Sequence, residues 1–106
     1  MVHAPKKTYR SKVTEYRRRL VFERDNYTCV YCGHRVDLME IDHVVPYSAG
    51  GTNAVENLVA ACWLCNHYKA DMSKDEFLSS AAFQKVLQRI AEGRNFFRQE
   101  NCHASA

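Results

Sequence analysis

Apolar positions recur at two different spacings along this chain. Val13, Tyr16, Leu20 and Val21 follow helical spacing behind Ser11, a good N-cap, with Arg17, Arg18 and Arg19 on other faces. A helix is therefore predicted from about Ser11 to Arg24, ended by Asp25-Asn26. Leu38 to Val45 is an apolar-rich run closed by Pro46, which cannot donate to a ladder, and predicts a strand. Tyr47 to Asn53, with Gly50-Gly51, reads as a loop. Asn57 to Ala61 reads as the returning strand of a hairpin, and Trp63 to Ala70, free of Gly and Pro, as a helix. Ser73 with Glu76 fits a capping box, opening a short helix through Leu78. Phe83, Val86, Leu87, Ile90 and Phe97 predict a last helix from about Ala82 to Asn95 or beyond, with Gly93 a weak point.

At 106 residues the chain is one domain, expected over 11–100, between a loose basic arm at 1–10 and a frayed tail at 101–106. A core this small is expected to need a stapling device. Charged residues make up 25% and hydrophobic residues 46%, which reads as globular and excludes a disordered chain. No apolar run reaches membrane-spanning length and no secretory signal is visible, so a cytoplasmic location is expected. Charge is uneven. Residues 1–24 carry eight Lys and Arg against two Glu, whereas residues 25–106 carry seven basic and ten acidic side chains. An anionic partner for the basic end, or simply a solvated helix face, explains that asymmetry.

Cysteines supply the staple. Cys29 and Cys32 flank a tight turn, with Gly33 ready to take a positive φ, and Cys62 and Cys65 repeat the spacing. In a reducing compartment, two Cys-x-x-Cys pairs point to one tetrahedral zinc more than to a redox pair or two disulfides. With all four positions taken by sulfur, the zinc is expected to be structural. Cys102 is left over as a free thiol.

The stretch Ile41-Asp42-His43-Val44-Val45-Pro46, then Gly50-Gly51, Asn57-Leu58, Cys62-x-x-Cys65-Asn66 and Lys69, resembles the HNH endonuclease family. The lead-in Arg24-Asp25-x-Tyr27-x-Cys29-x-x-Cys32-Gly33 resembles its zinc-bearing branch. The resemblance implies a small α+β fold, a ββα-metal core closed by four cysteines with flanking helices. It also implies that His43 is the general base, a role suited to an imidazole, which titrates near pH 6.5 when unperturbed. Asp42 and Asn66 correspond to ligands of a catalytic ion, and Asn57 to the residue that braces the loop and the histidine. Asp42 and His43, neighbours on a strand, serve one site only if the strand bends or ends there. His67 is a rival ligand to Asn66. Two oxygen ligands favour Mg²⁺ or Mn²⁺, whereas His67 shifts the preference toward Ni²⁺, Co²⁺ or Zn²⁺.

The function implied is metal-dependent hydrolysis of DNA phosphodiester bonds, leaving 5′-phosphate and 3′-hydroxyl ends, by a monomer or homodimer. Arg17, Arg18, Arg19 and Lys69 are the residues expected to hold the DNA backbone by charge. The alternative is a non-catalytic zinc-containing module that binds nucleic acid, in which Asp42, His43 and Asn66 have no role.

Overall fold

The computed structural model describes residues 12–93. Ser11, the basic arm, Cys102, the tail and the end of the last predicted helix lie outside the described residues. Among them run helix α1 (Glu15–Arg24), strand β1 (Met39–His43), strand β2 (Leu58–Cys62), and helices α2 (Trp63–Lys69), α3 (Lys74–Leu78) and α4 (Ala81–Ala91). Short 3₁₀ turns, Tyr47–Ala49 and Val55–Asn57, lie in the loop between the strands.

The strands pair antiparallel, with Met39 opposite Cys62 and His43 opposite Leu58. β2 reads Leu-Val-Ala-Ala-Cys and is buried at every position, so the continuous apolar run is explained. Its outer edge is covered rather than left as a template for another strand. Val30 N–H donates to Ala60 O at 3.0 Å, and Ala60 N–H donates to Asp25 Oδ2 at 2.9 Å. Arg24 Nη2 reaches Leu58 O at 2.6 Å and Nη1 reaches Val55 O at 3.1 Å. Arg24 and Asp25 are themselves paired at 2.8 Å, which clamps α1 to the edge of the sheet.

The first helix starts later than its pattern suggests. Thr14, not Ser11, is the N-cap, its side chain accepting from Arg17 N–H at 3.2 Å. Of the apolar set only Val21 is fully buried, and Tyr16 is 62% exposed. Arg24, in the last turn of the helix, holds it to the start of β2. Past its C-cap Asp25 the chain turns at Asn26 and Tyr27, both with positive φ, where Tyr27 N–H closes onto Phe22 O at 2.8 Å.

The core gathers Tyr31, Val36, Val59, Leu64, Phe77 and Val86 around the four cysteines. Both halves of the Ser73–Glu76 capping box are present, and Ser80 caps α4. Phe77 and Phe83 meet edge to face at 5.1 Å, tying α3 to α4.

Candidate active site and metal centre

The cysteines converge from two kinds of local structure. Cys29 and Cys32 sit on a turn closed by Gly33 N–H to Cys29 O at 2.9 Å, with Gly33 at φ +81°. Cys62 is the last residue of β2 and the N-cap of α2, its sulfur accepting from Cys65 N–H at 3.3 Å. Cys32 N–H points at Cys29 Sγ in the same way, at 3.5 Å. All four sulfurs lie within 4.8 Å of one another. Cys32 and Cys62 are 3.8 Å apart, the edge of a tetrahedron with metal–sulfur bonds of about 2.3 Å, and far beyond a disulfide bond. Hydrogen bonds from neighbouring thiols, Cys32 first, hold Cys29 well below the ordinary thiol range, and the hydrogen bonds that Cys32 and Cys65 give to Cys29 hold those two above it. The donor set and spacing fit a tetrathiolate ion.

The second centre lies where β1 ends. Asp42 and His43 are adjacent, yet both line one cleft of about 250 Å³, together with Tyr47, Asn66, Lys69 and Asp71. Pro46 closes the strand and seeds a 3₁₀ turn, so the chain bends immediately past His43. A larger hollow, about 370 Å³ beside Phe22, Tyr27 and Arg35, includes none of Asp42, His43, Asn57 and Asn66.

Asp42 is buried. Its Oδ2 accepts from Tyr31 Oη at 2.5 Å and from Lys69 Nζ at 3.0 Å. Burial, and then the adjacent Asp42 carboxylate, push the Tyr31 phenol far above its usual range, so it stays a donor. Lys69 is only 1% exposed, and its ammonium also donates to His43 O at 2.9 Å. The expectation that Lys69 meets a phosphate is therefore overturned. Position 69 lies four residues after the buried Cys65 on the same helix face, so its side chain points into the core. Arg17 and Arg19 are exposed and Arg18 is half-buried.

His43 is half-buried. Its Nε2 lies 2.8 Å from Asn53 Oδ1, and Tyr47 meets the ring edge-on at 6.1 Å. Asn57 plugs the loop instead of touching the ring. Its Oδ1 accepts from Val45 N–H at 2.9 Å, and its Nδ2 donates to Val45 O at 3.1 Å and Thr52 O at 2.9 Å. Asn66 lines the cleft, with Nδ2 donating to Glu40 Oε1 at 2.5 Å. His67, one residue further round the helix, is exposed against Tyr68 and does not line the cleft.

Residues 29–71 match the family model described as HNH endonuclease. That stretch is similar to an HNH endonuclease. The chain is also 44% identical over 75 residues to the CRISPR-associated endonuclease Cas9 of Corynebacterium diphtheriae. That match takes in 63% of this chain and 7% of the length of that protein. The paired strands, the following helix and the cysteine cluster form the small α+β, ββα-metal architecture of such a segment. No helix among the described residues is long and apolar enough to cross a membrane.

Three partners of the cleft residues were not legible as such, Tyr31 on Asp42, Glu40 on Asn66 and Asn53 on His43, nor was Asp71 in the cleft lining. Tyr31 carried the best signal, a phenol in the middle of a Cys-x-x-Cys turn. Asn53 carried none, since its reach to the ring depends on how the loop is folded.

Proposed function

We propose that this chain is a metal-dependent endonuclease that hydrolyses DNA phosphodiester bonds, with His43 as general base. The observation that supports it is the meeting of Asp42, His43 and Asn66 in one cleft open to solvent. His43 takes a proton from water as that water attacks phosphorus. Asp42 and Asn66 offer a carboxylate and an amide oxygen, a hard donor set that fits Mg²⁺ or Mn²⁺. Tyr31 and Lys69 both engage Oδ2, so Oδ1 is the Asp42 oxygen that would meet the ion. Glu40 takes the Asn66 Nδ2 hydrogen, which directs the amide oxygen away from itself. Asp42 and Asn66 would hold such a cation, which would supply stabilisation of charge developing on the phosphate and the leaving 3′ oxygen. The four cysteines hold a structural Zn²⁺, and Arg17, Arg18 and Arg19 supply backbone contacts that position DNA without reading its sequence. A soluble, cytoplasmic protein acting as a monomer or homodimer completes this reading.

Plasmid nicking tests it. Protein stripped of loosely bound divalent ions is assayed with Mg²⁺ or Mn²⁺ beside His43→Ala. The parent nicks, and the variant loses about 10²-fold or more, the usual size of a general-base effect. Equal activity in both refutes His43 as the base. Asn66→Ala is expected to abolish the Mg²⁺ response and His67→Ala to leave it; the reverse pattern transfers the ligand role to His67. DNA binding without Mg²⁺-dependent cleavage identifies the non-catalytic module instead.

A further inference from the structure

The contact between Asn53 and the His43 ring bears on which ring nitrogen can work as a base. An amide oxygen only accepts, so Nε2, 2.8 Å from Asn53 Oδ1, carries the hydrogen and Nδ1 keeps the lone pair. We propose that Asn53 is a positioning residue for His43: its amide oxygen holds the ring in one plane and one tautomer, with Nδ1 presented to the water. This rests on the reading of His43 as general base.

The surroundings of Asn53 favour such a role. It lies between two anchored neighbours: Thr52 O accepts from Asn57 Nδ2 at 2.9 Å, and Ala54 N–H donates to Thr52 Oγ1 at 3.2 Å. The same Asn57 amide grips Val45, two residues past His43. Ring and amide are thus fixed to one another through a single plug, and little freedom is left to lose when substrate arrives. Tyr47, edge-on to the ring, limits its rotation from another side. Among the side chains lining the cleft, Asn66 is engaged by Glu40 and Lys69 by Asp42 and the His43 carbonyl, whereas the amide of Asn53 meets the ring itself.

The test uses the full chain with its zinc, as the parent and as Asn53→Ala, Asn53→Asp and His43→Ala, at a fixed pH where histidines are neutral. One readout is the nicking rate at saturating DNA and Mg²⁺, with KM measured separately. The other is the ¹⁵N spectrum of ring-labelled histidines without divalent ions, the His43 signals assigned by their loss in His43→Ala. In the parent, Nε2 should appear protonated and Nδ1 unprotonated. Asn53→Ala should mix the two tautomers and lower kcat about tenfold or more with little change in KM. Asn53→Asp, which keeps an acceptor, should restore the parent spectrum and most of the rate. A parent spectrum with Nδ1 protonated overturns the proposal, as does an Asn53→Ala variant with unchanged ring signals and rate. If Asn53→Ala does not fold, Asn53→Asp and the parent spectrum still decide. If His43→Ala remains active, the base assignment fails instead, and the spectra still report whether Asn53 holds the ring.

Discussion

Lys69→Met removes an ammonium from a place where it is needed and leaves its aliphatic stem. Lys69 Nζ sits 3.0 Å from Asp42 Oδ2, with the two side chains 1% and 8% exposed. At that separation and an effective dielectric of about 20, the gross attraction is about 5 kcal/mol. Desolvation consumes much of this in the intact pair, but removing one partner leaves a buried carboxylate with Tyr31 as its donor. His43 O loses a hydrogen bond as well. We expect Lys69→Met to lower unfolding free energy by about 3–5 kcal/mol, a large share of what a domain of this size has. Urea denaturation of the zinc-loaded protein measures it. The loss should be similar at low and high salt, since a buried pair is poorly screened. Adding Asp42→Asn should recover at least about 1 kcal/mol, because the stranded charge is then gone. A loss below about 1 kcal/mol, or strict additivity of the two substitutions, would refute the buried pair and return Lys69 to the surface.

Three further outcomes are expected. Gly51→Ala should destabilise the fold by about 1–3 kcal/mol in the same denaturation assay, since a Cβ there would collide with the Val45 carbonyl and lie 2.8 Å from Asn57 Nδ2. Burial alone would raise the Asp25 carboxyl, but hydrogen bonds from Arg24 and Ala60 N–H outweigh it and hold the group below its ordinary range. Its contribution is therefore complete above about pH 5 and fades as pH falls through the depressed folded value. Asp25→Asn should flatten that acid limb in a stability–pH series. Strong chelation of the tetrathiolate ion, or Cys62→Ser, should abolish cooperative unfolding seen by circular dichroism, and added Zn²⁺ should restore it only in the chelated parent.

The legible parts of the fold were those whose cause is local. The capping box at Ser73 and Glu76, the break at Pro46 and the four-sulfur spacing each depend on residues a few positions apart, and each appears in place. Strand and helix ends shifted by one to four residues because caps decide them, as Thr14 does for α1. Lys69 was misjudged because its charge was weighed and its helix face was not; the period that buries Cys65 also buries position 69. Motif order brought out Asp42, His43 and Asn66, but not the groups that steer them. Glu40 and Asn66 are 26 residues apart, and Tyr31 and Asp42 are 11 apart. Those distances in sequence close only after hairpin and knuckle have docked.

Tyr31 belongs to both centres: its backbone lies inside the cysteine turn and its phenol holds Asp42. If the four cysteines order their turn by capturing zinc, a newly made chain without that ion would lack the phenol's position and the aligned carboxylate. On the function proposed above, assembly and competence would arrive in the same event, and an immature copy would spare the nucleic acid around it without any inhibitor.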